Sequence, residues 1–279
     1  MEHRALTPSG FGFELPAVSG EGALDAFHAS GGLLLYRGQT GMTPRELRRF
    51  AARFGRLELN DKYDEDFLLP GFPEILRLGN LRENGRYRSL FIEADAAPLL
   101  WHSDDSFRSP QPIGSCLLCI ETPSTGGETG FAGMAAAYEA LSPQQKERIE
   151  GLTAVHSYDH LNEVLRRKNP HRPPLSAQLR EEHPPVRRPI VSRHPVTNER
   201  TLFVPKSHIE SIDGLEADET ESLLTELVGH VTGSDFAYMH QWKPGDLVVW
   251  DNRAALHAPT PFDASRYQRL LYRLTMLDP

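Results

Sequence analysis

The sequence predicts a mainly β protein with flanking helices, an antiparallel barrel or sandwich of which the double-stranded β-helix (jelly roll) is one version. Short apolar or alternating runs recur along the chain, and the few helical patterns between them never adopt the strand-helix-strand rhythm of a parallel sheet. Size bounds the expectation: 279 residues, 39% hydrophobic and 24% charged, suit one large domain, residues 1–279, with a sizeable core. No internal repeat is visible.

Leu33-Leu34-Leu35-Tyr36 reads as a buried strand closed by Arg37-Gly38. Thr43-Pro44-Arg45-Glu46 then forms a capping box with proline at the first helical position, and Leu47, Phe50, Ala51 and Phe54 follow at helical spacing, with Gly55 placed to end the helix. Glu74-Ile75-Leu76-Arg77-Leu78 alternates as a second strand, and the run 113–120 is apolar enough for a strand buried on both faces. Cys116 and Cys119 lie inside that run; three residues apart, they point to opposite faces, so structural thiols are expected rather than a redox or zinc pair. Helices are expected over 142–151 and 218–229, and strands over 153–158, 189–194, 201–204, 236–240, 247–250 and 270–276. Residues 161–188 are rich in Pro, Arg and His and poor in periodicity, which fits a lid or an oligomer contact.

A formal net charge of -8 argues against nonspecific nucleic-acid binding, although local arginines can still hold a small anion. The expected partner is therefore a small molecule. No segment approaches membrane-spanning length, and the first sixteen residues have neither signal-peptide nor transit-peptide character, so a cytoplasmic location is expected.

Chemistry is concentrated in two stretches, Trp101-His102-Ser103-Asp104 and Trp250-Asp251-Asn252-Arg253 to His257, with Arg269 a short way beyond. In an extended segment His102 and Asp104 project from one face, and with His257 they make two histidines and one carboxylate, the facial set that leaves one side of Fe(II) open. Alone, His-x-Asp is equally well a surface or turn pair. His208-Ile209-Glu210 offers a similar pattern and is read as a decoy, as are His156 and His160, whose spacing suits a metal only on a helix.

Further motifs surround these residues. Pro123-Ser124-Thr125-Gly126-Gly127-Glu128-Thr129 follows the buried strand, and Trp242-Lys243-Pro244-Gly245-Asp246 turns into Leu247-Val248-Val249-Trp250. From Leu35-Tyr36-Arg37-Gly38-Gln39 to Leu274-Thr275-Met276 the chain resembles the TauD/TfdA family of Fe(II)/2-oxoglutarate dioxygenases, on the 2,4-dichlorophenoxyacetate side rather than the taurine side. The resemblance implies a jelly-roll core with His102, Asp104 and His257 as iron ligands. It further implies Thr129 and Arg269 on the distal carboxylate of 2-oxoglutarate, and Arg273 on the anionic group of the primary substrate. Phe131 matches an aromatic near the iron in several relatives, although a core role would also suit it.

By periodicity, Arg269, Leu271, Arg273 and Thr275 share one strand face, which could equally be the solvated face; only the resemblance turns it inward. Two inward guanidiniums without acidic partners on their own strand would need two anions. The loop after His257 is about one residue longer than in taurine enzymes, so choosing Arg269 over Arg266 rests on the following Leu-Leu-Tyr-Arg-Leu-Thr pattern. Ala96-Ala97-Pro98-Leu99-Leu100-Trp101 lacks the Asn-rich stretch of taurine dioxygenases and favours a larger, less polar carboxylate.

The implied reaction is oxidative decarboxylation of 2-oxoglutarate by O2 coupled to C–H hydroxylation, releasing succinate and CO2. Alternatives are a taurine or alkylsulfonate dioxygenase, a tailoring hydroxylase of a biosynthetic pathway and, from other classes, a zinc hydrolase on the same ligands or a non-catalytic carboxylate-binding barrel. The resemblance also implies a homo-oligomer, a dimer or tetramer.

Overall fold

Two facing β-sheets form the centre of the molecule, and the larger has ten strands. The computed structural model describes residues 2–18, 22–83, 86–90 and 99–278, with residues 81–83 and 86–90 described by their backbone alone. Along the larger sheet lie Arg4–Ala5, Phe13–Leu15, Leu33–Tyr36, Leu247–Asp251, Gly114–Glu121, Leu270–Leu277, Phe72–Glu83 and Leu68–Leu69. Arg56–Leu57 pairs with Leu270–Leu277, and Arg86–Leu90 with Phe72–Glu83. The central strands pair antiparallel, and Phe13–Leu15 runs parallel to Leu33–Tyr36. The smaller sheet has Thr129–Gly133 at its centre, flanked by Ala237–His240 and Ala255–Pro259.

Continuous apolar runs form the central strands because both faces are buried. Leu33, Leu35, Leu117, Cys119, Val248, Trp250 and Leu271 pack with Phe131 and Ala255 of the smaller sheet, filling the space between the sheets. Leu34, Tyr36, Cys116, Leu118, Leu247, Val249, Leu274 and Met276 project the other way, onto the helices Ala23–Ala29 and Pro44–Ala51. Cys116 and Cys119 are thus free thiols on opposite faces, and burial raises both pKa values, that of Cys119 to about 12. A third apolar cluster packs Ala132 and Leu256 of the smaller sheet against Met134–Glu139 and Ala217–Val231. Among the described residues no helix is long and apolar enough to cross a membrane.

Both proline-led helices begin as expected. Thr43 and Glu46 cap Pro44–Ala51 reciprocally, and Ser142 and Gln145 do the same for Pro143–Ile149. Gly55 serves a different purpose from a helix stop: a Cβ there would stand 2.5 Å from the Leu277 carbonyl, so glycine permits close passage of two chain segments. The expected strand 153–158 ends at His156, because Ser157 accepts the His160 amide and starts the helix Tyr158–Lys168. Residues 161–188 are also more regular than their composition suggested. They contain most of that helix, a second helix Ala177–Glu182 capped by Ser176, and the start of the strand Val186–Pro189. The expected strand 189–194 divides between Val186–Pro189 and Val191–Arg193, which belong to different sheets.

Candidate active site

The edge of the smaller sheet brings the two motif stretches together. His102 exchanges two backbone hydrogen bonds with His257, 2.9 Å and 2.8 Å long, so the His-x-Asp segment continues the sheet beside Ala255–Pro259. One ligand atom from each of His102, Asp104 and His257 lies within 4.8 Å of the others, the one such His/Cys/Asp/Glu group among the described residues. Asp104 Oδ1 stands 3.8 Å from His102 Nε2 and 3.6 Å from His257 Nε2. Two imidazole nitrogens and one carboxylate oxygen converging from one side, with a cavity on the other, fit a facially bound Fe(II).

Surrounding groups fix each donor. His102 Nδ1 lies 2.7 Å from the Leu100 carbonyl, so this nitrogen donates its proton and leaves the Nε2 lone pair free for a metal. The other oxygen of Asp104, Oδ2, accepts from Ser115 Oγ–H and Arg273 Nη2, both at 2.9 Å. Burial alone would raise the Asp104 pKa, but Arg273, His257, His102 and Ser115 outweigh it and hold the carboxyl well below its ordinary range. Burial, reinforced by His102, pushes the His257 pKa down to about 3, so the imidazole is neutral at neutral pH with its lone pair available.

The Trp250-Asp251-Asn252-Arg253 motif braces this arrangement. Trp250 packs on the His257 ring at 4.7 Å and donates to Asn252 Oδ1; the Asn252 carbonyl accepts from Ser103 Oγ. Buried Asp251 accepts from His194 and from the Arg253 guanidinium, which together hold its pKa near 2 against the effect of burial. Phe131 is fully buried, stacked on His257 at 6.2 Å and tilted against Trp250 at 5.4 Å.

A cavity of about 420 Å3 opens from the His102, Asp104 and His257 side chains, and Arg269, Leu271, Arg273 and Thr275 all line it. The other face of that strand, including Leu274 and Met276, is packed on helices. The arginine face therefore points inward. Arg273, however, has an acidic partner in Asp104, which the strand pattern alone did not reveal because that carboxylate comes from another segment. The Asp104 carboxylate already answers the Arg273 charge, so two arginines do not by themselves call for two external anions.

Thr129 and Arg269 are buried and line the same cavity. Gly126 and Gly127, with φ of +75° and +74°, shape this end: a Cβ on Gly126 would lie 2.5 Å from the Pro261 carbonyl, and one on Gly127 would press on Pro123 and reach the Arg269 stem. Arg266 is exposed and covers the Tyr267 ring, away from the cavity.

Residues 96–98 of the apolar approach lie outside the described residues; Leu100 lines the cavity. Glu210 is exposed and His160 belongs to a helix that His156 does not share, so neither expected decoy assembles a metal pair. His208 nevertheless lies at the site. It is buried, 5.8 Å from the His102 ring and on the cavity wall, with Nδ1 bonded to Ser106 Oγ, which in turn meets His156 Nδ1. Only folding brings its 3-10 turn, Lys206–His208, to this wall; no spacing pattern marks it.

The outer cavity is aromatic and aliphatic. Phe107 and Tyr158 stack at 4.7 Å, His183 meets Tyr158 edge-on at 5.4 Å, and Leu161, Leu165 and Leu179 line the wall beside them. Lys62 and Arg172 add positive charge to the lining, whereas Arg108 is paired there with Glu58 and Asp105.

Residues 2–275 match the family described as "Taurine catabolism dioxygenase TauD, TfdA family". A protein of Cupriavidus pinatubonensis named alpha-ketoglutarate-dependent 2,4-dichlorophenoxyacetate dioxygenase is 34% identical over 88% of this chain and 84% of its own length. The (S)-phenoxypropionate/alpha-ketoglutarate-dioxygenase of Sphingobium herbicidovorans is 32% identical over 85% and 80%. Among solved structures, AAD-2 in complex with Mn(II) and N-oxalylglycine superposes with a TM-score of 0.79 at 28% identity, covering 99% of this chain and 97% of that one. The chain therefore belongs to the TauD/TfdA family, with a jelly-roll core, and is a 2-oxoglutarate-dependent dioxygenase that uses Fe(II) and O2.

Proposed function

We propose that this enzyme hydroxylates a C–H bond of a small anionic substrate with an apolar or aryl body, an aryloxyalkanoate-like carboxylate, with release of succinate and CO2. The observation that carries the reading is one continuous cavity with three regions: the His102, Asp104 and His257 donors, a buried Thr129 and Arg269 end, and an outer wall of Phe107, Tyr158, Leu161, Leu165 and Leu179. Iron bound at the three donors supplies O2 activation coupled to decarboxylation of the 2-oxo acid.

In this reading Arg269 pairs with the distal carboxylate of 2-oxoglutarate, a charge-assisted contact that fixes a dicarboxylate at the end remote from the metal. Thr129 donates its hydroxyl proton to the same carboxylate. A zinc hydrolase or a simple carboxylate-binding barrel has no need of that second anchor. Arg273 holds Asp104 in position and presents its remaining donors to the substrate anion. The outer wall takes the apolar body, in agreement with the substrates in the names of the two relatives. Hydroxylation at the carbon between an ether oxygen and the carboxylate gives a hemiacetal that releases the phenol and a 2-oxo acid, so cleavage of the substrate follows from the same C–H chemistry.

Residues 161–188 act as the lid over this cavity, since Leu161, Leu165, Arg172, Leu179 and His183 all line it. The reading includes a cytoplasmic homo-oligomer, to be sized by light scattering. The test of function is succinate release from Fe(II)-reconstituted protein across aryloxyacetates, aryloxypropionates, taurine and longer alkylsulfonates. Acceleration by the aryloxy acids is expected. Acceleration by the sulfonates alone would replace this substrate class, and release that no member accelerates would direct the search to biosynthetic substrates.

A further inference from the structure

We infer that Trp242 and Asn80 are positioning residues for the co-substrate: Trp242 makes the Thr129 hydroxyl an obligatory donor, and Asn80 sets the place from which Arg269 projects. The inference rests on the reading that Thr129 and Arg269 receive the distal carboxylate of 2-oxoglutarate.

The direction of the first hydrogen bond is forced by chemistry. An indole N–H can only donate, whereas a threonine hydroxyl has one proton and two lone pairs. Trp242 Nε1 lies 3.0 Å from Thr129 Oγ1, and both side chains are buried. Thr129 Oγ1 must accept there, so its own proton turns to another partner. Thr129 lines the cavity with Arg269, where that proton meets an acceptor-only carboxylate. The indole is itself held: the buried His240 ring stands perpendicular to it at 4.4 Å, and His240 Nε2 lies 3.3 Å from buried Asp246. The Trp-Lys-Pro-Gly-Asp turn, which supplies no ligand, thus acquires a purpose.

A separate set of contacts fixes Arg269. Asn80 is fully buried, its Oδ1 accepts the Arg269 amide at 2.8 Å, and its own amide donates to the Arg269 carbonyl at 3.3 Å. Its Nδ2 donates to the Tyr267 and Ala264 carbonyls at 2.7 Å and 3.1 Å, clipping down the loop that leads to Arg269. Gly79 allows this approach, since a Cβ there would stand 1.8 Å from the Arg269 carbonyl oxygen. The pairing of Leu270–Leu277 with Gly114–Glu121 shifts register between Leu270 and Leu271, immediately after the clipped residue. Such irregularities re-aim a side chain at a strand end. Asn80 and the shift together aim Arg269 along the cavity.

The test compares binding of 2-oxoglutarate with binding of pyruvate, a 2-oxo acid that lacks the distal carboxylate, by calorimetry on Mn(II)-loaded protein without turnover. Trp242→Phe is expected to weaken 2-oxoglutarate about threefold to tenfold, the range for one lost hydrogen bond, and to leave pyruvate unchanged. Asn80→Ser is expected to do the same. In a Thr129→Val background Trp242→Phe adds nothing, while Thr129→Ser keeps wild-type preference. A structural role alone would weaken both acids equally, and that result, or an unchanged ratio, overturns the inference. Should Asn80→Ser not fold, Trp242→Phe decides. Arg269→Leu separates the two levels. If it leaves the 2-oxoglutarate to pyruvate ratio intact, the anchor reading itself fails; if it collapses the ratio while Trp242→Phe and Asn80→Ser preserve it, only the positioning inference fails.

Discussion

The metal end of the cavity and its outer end are held by different forces. At the metal end each donor has a neighbour that fixes it: Leu100 for His102 and Ser115 and Arg273 for Asp104 by hydrogen bonds, and buried Trp250 for His257 by ring packing. Directional hydrogen bonds set positions to a fraction of an ångström, as a metal centre requires. At the outer end Phe107, Tyr158, Leu161, Leu165 and Leu179 offer shape and apolar area, with few directional contacts. Such a surface tolerates variation in ligand shape while demanding an apolar body. In the proposed function, the first end fixes the reaction and the second selects the substrate.

The largest effect expected is at the metal end. His257→Ala should abolish substrate-dependent succinate formation while far-ultraviolet circular dichroism stays unchanged, because the ring is a donor at the cavity rather than a core filler. Arg273→Ala should weaken Fe(II) binding about tenfold to a hundredfold, as expected for loss of an outer-sphere partner of a ligand, measured by competition with a chelator. A variant with intact iron affinity but impaired substrate KM would give Arg273 to the substrate alone. Tyr158→Ala should raise KM for aryloxy acids about tenfold, given the ring area lost, without changing the 2-oxoglutarate requirement. Equal losses for both would erase the distinction between the two ends.

The smallest effect concerns stability. Burial, followed by the Arg188 charge, lowers the His156 pKa to about 3, whereas an unfolded chain titrates near 6.5. Between these values the unfolded state takes up a proton that the folded state refuses, so stability is lost as pH falls through that window, at no more than about 1.4 kcal/mol per pH unit for this group. Urea midpoints at pH 7.5 and 5 should therefore differ less in His156→Phe than in wild type. An equal difference would mean that His156 is not the group responsible.

The contrast between the two ends also explains what the sequence disclosed. The metal end rests on short-range geometry: two residues apart on an extended segment share a face, and a strand after a tight turn delivers His257. Those relations survive in one dimension, but His-x-Asp is ambiguous alone, and it is the family resemblance that singles out His102, Asp104 and His257 from the sequence. The strand face carrying Arg269 and Arg273 was visible too, but which way it turned depended on the sheet it joined. The Arg273 pairing with Asp104, the place of His208 on the wall and the Asn80 clip on Arg269 join residues up to 189 positions apart, and no local pattern encodes them. In residues 161–188 the helical spacing of Tyr158, Leu161, Val164 and Leu165 was masked by the strand expected up to residue 158, and the second helix, Ala177–Glu182, is too short to show a period.

The most direct test of the central claim is the metal dependence of turnover. Apoprotein is reconstituted anaerobically with Fe(II) or Zn(II), and O2-dependent succinate release is followed with 2,4-dichlorophenoxyacetate in wild type and His257→Ala. Succinate formed with Fe(II) alone, accelerated by the aryloxy acid and absent from the variant, is the predicted result. Undiminished succinate formation in His257→Ala, or a hydrolytic activity that appears with Zn(II) while Fe(II) gives no succinate, would contradict the account.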